Sequence, residues 1–379
     1  MPYSSRADTI FKCPAYVTSF NDLPPEVHGM VASHLDSYDL SHCVLVSKSW
    51  RASFHRYLWR HVVIMVDESD DFDPKLLKLL KANREHVHSL TLSAGYGDVL
   101  HSFMELMPPS SNPHLVFPNL YSAEISCEFG ESTDQTMVQF LELTGAKWKR
   151  LVLNDTSESR YGIDFGPQSM KVLARHAEFL KVFRWSSETG SSDGLVEQLL
   201  CSASNLRELS VVGHYRSSGG WLDARKIVEM EWVCLDLEVF QCRIRNIPRP
   251  DITRDIGDDP TVVYIEEGTL QESLDLQRQV YTKLAKLTKL RELKLGLVIE
   301  VCAPEYQLGD KTCEKQFDCL AMTLDSGLDL LKGLKELRVV GLEDMEVYVE
   351  GEREQAWFKE HWPNAKIELG EYFHDQYLD

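Results

Sequence analysis

The sequence predicts an α/β fold: a three-helix knob at the N-terminus, continued by a strand–helix solenoid that occupies the rest of the chain. Three observations predict it. Short apolar helical patterns crowd into residues 20–60. A hexamer with apolar residues at its first, fourth and sixth positions then recurs towards the C-terminus. Helical periodicity fills the gaps between its copies. A short strand alternating with a helix describes units that each expose an apolar face, which only a stacked neighbour can bury.

Taken in order, residues 1–19 carry no strong pattern and read as a loose tail. From Phe20 to Trp59 the elements are short. Pro24 and Pro25 suit a first helical turn, where a missing N–H costs nothing. Val27, Met30, Val31 and Leu35 fall on one helical face, Asp36 to Tyr38 reads as a turn, and Leu40, Cys43, Val44 and Val46 mark a second helix. Ser47 is a good N-cap for a third helix, on which Trp50, Phe54 and Leu58 recur at i, i+4, i+8. Helices this short and this apolar suit either a small subdomain docked on the rest of the chain or a surface built to be covered by a partner.

Leu23-Pro24-Pro25-Glu26, Leu35, Asp39-Leu40, Cys43, Val46, Lys48, Trp50 and Leu58-Trp59 resemble an F-box in order and spacing, with Val27 and Val31 in place of more usual isoleucines. The resemblance implies three helices that interlock with a Skp adaptor, which in turn binds a cullin, so that the chain is a substrate receptor of an SCF-type ubiquitin ligase. On that resemblance the adaptor-binding residues are Leu23, Pro24, Pro25, Val27, Val31, Leu35, Leu40, Val44, Trp50 and Leu58. The implied domains are a tail at 1–19, an F-box at 20–60 and a solenoid at 61–379.

The hexamers are Trp59-Val62-Ile64, Val87-Leu90-Leu92, Leu120-Ala123-Ile125, Trp148-Leu151-Leu153, Leu180-Phe183-Trp185, Leu206-Leu209-Val211, Leu237-Phe240-Cys242, Leu290-Leu293-Leu295, Leu334-Leu337-Val339 and Trp362-Ala365-Ile367. Helical patterns occupy 74–82, 98–107, 134–143, 168–177, 194–202, 270–287, 317–331 and 353–361. The hexamer resembles the L-x-x-L-x-L of leucine-rich repeats. The periods are mostly longer than that family's, and the asparagine or cysteine it places after the hexamer is mostly absent, so the expected solenoid is irregular. The combination of an F-box with divergent leucine-rich repeats is common in fungi. Because the first hexamer opens inside the Leu58-Trp59 pair, no Gly/Ser/Pro linker intervenes, and a stiff junction is expected. A ligase that works by holding a substrate near a charged enzyme needs such stiffness.

Two insertions lengthen the period. The stretch from Arg243 to about Thr269, rich in proline and charge, reads as a protruding loop, and 303–314 as a shorter one.

Forty basic against 59 acidic side chains give a formal charge of −19, which opposes binding to nucleic acid or anionic membrane. No apolar run reaches membrane-spanning length, and the start lacks a signal peptide's apolar segment. The nine cysteines form no C-x-x-C, and Cys43, Cys201 and Cys234 lie in apolar runs, which suits reduced core thiols in the cytoplasm or nucleus.

In leucine-rich repeats the residues alternating with the apolar positions line the concave face. The candidate substrate-binding residues on that basis are Arg150, Val152, Arg184, Arg243, Lys294 and Arg338. Paired guanidiniums such as Arg150 and Arg184 suit carboxylate or phosphate, so an acidic or phosphorylated protein substrate is expected. The alternative is that these cations balance neighbouring glutamates such as Glu124 and Glu208.

Gly190-Ser191-Ser192-Asp193-Gly194 matches the hydrolase pattern G-x-S-x-G between a strand and a helix. Four residues separate it from the strand, so the sharp elbow that lifts a nucleophile over an oxyanion hole is missing, and Asp193 reads more simply as a helix N-cap. His214, His361 and His374 stand in no telling context. No cofactor or metal motif is present, and the sequence is read as non-enzymatic.

Overall fold

The structure is a computed structural model. It describes residues 22–66, 73–94, 99–107, 117–127, 133–155, 165–187, 194–213, 221–250, 262–263, 267–295, 315–316, 318–342 and 352–368. Two compact units separate between His61 and Val62.

The first unit holds α1 (Pro25–Ala32), α2 (Ser37–Val46) and α3 (Lys48–Leu58). Pro25 occupies the first helical position, as its missing N–H favours. The turn expected at Asp36 to Tyr38 is shorter than that. Asp36 is the N-cap of α2, its carboxylate accepting from the backbone N–H of Asp39 at 2.7 Å, so Ser37 and Tyr38 are already helical. Ser47 caps α3 by accepting from the N–H of Trp50. Ala32, Leu40 and Phe54, one from each helix, form the buried centre, and Val31, Leu35, Cys43, Val44, Trp50, Tyr57 and Leu58 pack around it half-buried.

The second unit alternates strand and helix: β1 (His61–Val66), α4 (Pro74–Ala82), β2 (Ser89–Ala94), α5 (Val99–Leu106), β3 (Ser122–Cys127), α6 (Asp134–Leu141), β4 (Arg150–Asp155), α7 (Pro167–Ala174), β5 (Val182–Ser187), α8 (Leu195–Ser202) and β6 (Glu208–Gly213). It continues with β7 (Trp221–Asp223), α9 (Ala224–Glu229), β8 (Val239–Gln241), β9 (Arg243–Arg245), β10 (Val262–Val263), α10 (Leu270–Leu284), β11 (Glu292–Lys294), β12 (Lys315–Gln316), β13 (Val339–Gly341), α11 (Glu352–His361) and β14 (Lys366–Glu368). Ten of the strands form one sheet in the order β1-β2-β3-β4-β5-β6-β8-β11-β13-β14, and from β2 to β14 neighbouring strands pair in parallel. This is a leucine-rich-repeat-like solenoid.

Its register is the hexamer's. Leu90, Ala123, Leu151, Phe183, Leu209, Phe240 and Leu293, all fourth positions, stand in line across seven strands, and each is fully buried. The ninth and tenth copies are framed differently from the sequence expectation. Leu293 pairs with Val340, so the ninth hexamer is Leu337-Val340-Leu342, three residues later, and Val340 pairs with Ile367. Both frames of the ninth copy satisfy the apolar pattern; strand pairing with β11 decides between them.

Repeats are stapled to one another through side chains. Asn119 and Asn205, each just before a hexamer, donate to the carbonyls of Glu85 and Glu178 in the preceding repeat at 2.7 and 2.6 Å. Trp148, fully buried, donates its indole N–H to the carbonyl of Leu141 at 3.0 Å.

Three expectations fail here. The helix expected at 317–331 is absent over the described residues 318–327, and only a 3-10 turn forms at Leu328–Gly333. Side chains take the backbone partners a helix would use: Gln277 accepts from the N–H of Ala321, Glu354 from that of Leu324, and the Ser326 hydroxyl donates to the carbonyl of Ala321. The insertion starting at Arg243 does not protrude over its first residues. Ile247 and Arg249 are buried, and the carbonyl of Asp318 accepts from the N–H of Ile247. The first insertion also pairs with the chain just after the second, since Val262–Val263 runs parallel to Lys315–Gln316. Finally, Cys201 is exposed, whereas Cys234 is buried and Cys43 half-buried. Burial pushes the Cys234 thiol up to about 12, which makes it unreactive.

Candidate protein-interaction surfaces

In the first unit, the positions the sequence assigns to an adaptor divide by burial. Pro24 and Pro25 are exposed, and Leu23, Val27, Val31, Leu35, Val44, Trp50 and Leu58 are half-buried. Leu40 is buried in the knob's own centre, because its stripe on α2 is the one that faces α3; it stabilises the surface and does not form it. The most exposed apolar side chains are Met30 (66%), Tyr38 (71%), Leu45 (72%) and Val46 (63%). Tyr38 and Leu45 are seven residues apart on α2 and share one face, where the Tyr38 ring packs at a tilt against His42, 4.3 Å between centroids. Tyrosine, leucine and valine side chains left this open have a large area to lose to a partner.

In the second unit, the helix-free face of the sheet carries the candidate substrate residues at third and fifth positions. Arg150 pairs with Glu124 at 3.1 Å, and Arg184 hydrogen-bonds Glu208. That hydrogen bond, against some burial, holds the Arg184 guanidinium more firmly protonated than usual. The balancing of these cations by Glu124 and Glu208, weighed from the sequence, is what the structure contains. Arg150 stands opposite Val182 and Val152 opposite Arg184, so the two arginines are diagonal, about 8 Å apart along the pleat. Each is turned to its own carboxylate.

Val152 lies in register between Glu124 and Arg184 and is 1% exposed. Flanked by two longer side chains it contributes packing, not contact, and is removed from the candidate site. Lys294 stays on the face, 3.7 Å from Glu368. Arg243 does not, since the strand it opens pairs with β7 in a separate two-stranded sheet. Arg338 moves with the reframed ninth copy from the fifth position to the second, the edge at which a repeat enters its strand. The sequence could not place these two, because insertion and frame shift both break the count.

The G-x-S-x-G serine, Ser192, and Asp193 lie outside the described residues, as do His214 and His374. The N-cap of α8 is Gly194, in the left-handed region at φ 78°, one residue later than expected. His361 packs edge-on to Trp357, 4.8 Å between ring centroids. No helix among the described residues is long and apolar enough to cross a membrane.

The F-box-like family matches residues 20–65, which span all three helices and all but the last residue of β1. Residues 20–65 are an F-box-like domain. No curated protein matches the chain significantly. Among solved structures, the Rad7–Elc1 complex of yeast is similar at 13% identity and a TM-score of 0.31, over 90% of this chain and 92% of that one. An internalin of Listeria monocytogenes is similar at 11% identity and a TM-score of 0.30, over 92% and 88% of the two chains. A leucine-rich-repeat protein of Leptospira interrogans gives 11% identity and 0.19, over 83% and 91%. Likenesses this distant add nothing to the functional argument.

Within the F-box-like domain, sequence reasoning missed Met30, Tyr38 and Leu45 as surface residues. A signal was there. Cys43-Val44-Leu45-Val46 is an unbroken apolar run at the end of a helix, and one buried stripe cannot take four consecutive residues.

Proposed function

We propose that this chain is the substrate-recognition subunit of an SCF-type ubiquitin ligase. The F-box-like domain docks on a Skp-type adaptor, and through it on a cullin, while the repeat unit holds a protein substrate. The observation that carries this reading is the coincidence of the F-box-like match with a three-helix unit whose Tyr38, Leu45, Val46 and Met30 are left open to solvent. The chain itself performs no chemistry in this reading. It positions, and the work is done in the cytoplasm or nucleus by the enzyme on the same scaffold.

The test is co-purification. The tagged chain is expected to bring down adaptor and cullin together. Leu45→Asp, at an exposed position where folding has little to lose, should cut adaptor capture at least tenfold, as should the double change Leu23→Ala, Pro24→Ala. Circular dichroism confirms that the variants fold. Adaptor without cullin would indicate an interaction protein acting outside a ligase; no adaptor at all would end the reading.

A further inference from the structure

The second position of each hexamer forms its own row along the solenoid, at the edge where the chain enters each strand. Over four consecutive repeats the row reads Tyr121, Lys149, Lys181, Arg207. Its members are tied rung to rung: the N–H of Lys149 donates to the carbonyl of Tyr121, that of Lys181 to Lys149, and that of Arg207 to Lys181, each at 2.8 Å. Parallel strands lie about 4.8 Å apart, so three cations are held within about 10 Å by a backbone that cannot spread them.

What distinguishes this row from the open face is neutralisation. On the face, Arg150 and Arg184 each have a glutamate. In the row, neither Lys149 nor Lys181 has an ion pair among the described residues; Lys149 rests its ammonium over the Tyr121 ring at 4.9 Å, and Lys181 is exposed. Arg207 shares Asp236 with Lys289, at 3.3 and 2.6 Å, so one carboxylate serves two cations. Lys147 adds a further positive charge beside the row, donating to the carbonyl of Arg175 at 3.0 Å. In a chain of net charge −19 a local excess of this kind runs against the composition. Like charges fixed side by side weaken the free protein, and an anion laid across them relieves the repulsion.

We propose that the row Lys149–Lys181–Arg207 captures an extended run of carboxylates from a partner protein. This deepens the substrate-holding reading of the repeat unit and rests on it. It moves the acidic contact from the strand face, where the arginines are satisfied, to the entering edge. An extended chain rises about 3.3 Å per residue and turns alternate side chains to one face, so an acidic run of about four to five residues sets two or three carboxylates about 6.6 Å apart along the row. Nucleic acid is disfavoured by the charge of the remaining surface.

The probe is fluorescein-labelled decaglutamate, followed by anisotropy with the full chain at low ionic strength. Binding is expected, weakening as salt rises. Lys149→Glu with Lys181→Glu should lose at least tenfold. Lys332→Glu with Lys335→Glu, the same change of charge at exposed positions elsewhere in the solenoid, should lose less than twofold. Equal losses in the two double variants, retention in the first, no binding by the unaltered chain, or tighter binding of a single-stranded oligonucleotide of equal charge would each overturn the proposal. Adaptor capture measured in parallel separates a failure of the row from a failure of the F-box-like domain.

Discussion

His176 shows how a single buried side chain can make the solenoid sensitive to acid. Its Nδ1 accepts from the backbone N–H of Trp148 at 3.4 Å, a role open only to the neutral ring. Burial, and then the nearby charges of Lys147 and Arg175, lower its pKa from the usual 6.5 to about 4. The unfolded chain therefore binds a proton at higher pH than the folded one, and stability is complete above pH 6.5 and falls as the pH drops from about 6.5 towards 4. His176→Asn, which keeps an acceptor without the titration, should flatten that part of the profile. Urea unfolding at pH 7, 6, 5 and 4.5 for both proteins measures it, and identical slopes would show that His176 is not the group. Nothing in the local sequence marks this histidine. Its burial comes from a hexamer tryptophan in the neighbouring repeat, and the charges come from residues on either side of the contact.

At the scale of the element, several helix starts were legible from a local cap, although α2, capped by Asp36, and α9, capped by Asp223, were not. Asp73 caps α4, Thr133 caps α6, and Thr269 with Glu272 forms a full capping box on α10, all readable from adjacent residues. The start of α7 is different. Its own N-cap, Gly166, offers no side chain, and the cap comes from Asp134 of the preceding repeat, whose carboxylate accepts from the N–H groups of Gln168 at 3.1 Å and Ser169 at 2.9 Å. Burial opposes ionisation of Asp134, yet these bonds and the Ser169 hydroxyl outweigh it and hold the carboxyl below its usual range. Gly166 is required by space, since a Cβ there would stand 2.5 Å from that carboxylate. Gly166→Ala should therefore cost about 1 kcal/mol or more by displacing the cap, although alanine is otherwise the better helix former. Denaturant unfolding decides it, and a neutral or stabilising result would show that the inter-repeat cap is worth little.

At the scale of the whole molecule, the repeat unit is a stack of nearest neighbours. Phe183 is fully buried on β5, in register with Leu151 on β4 and Leu209 on β6, and packs edge-on to Phe165 at 5.8 Å. Phe183→Ala should cost about 3–5 kcal/mol in urea. Because each repeat is stabilised chiefly by the two it touches, amide exchange should quicken in β4 and β6 as well as in β5. Faster exchange confined to β5 would show that the rungs are not coupled in this way.

The sequence by itself determined what depends on short-range pattern: three apolar helices with the F-box spacing, seven hexamers in their true register, and the helices between most of them. Those features are local because a helical stripe and an alternating strand are written within a few residues. Tertiary structure decided the rest. It chose the frame of the ninth repeat, paired the first insertion with the residues that follow the second, replaced the helix expected at 317–331 by side-chain bonds, buried Val152, and left Lys149 and Lys181 without an ion pair among the described residues. In most of these the deciding partner lies a repeat or more away, and the interval from one repeat to the next in this chain is too irregular to count across.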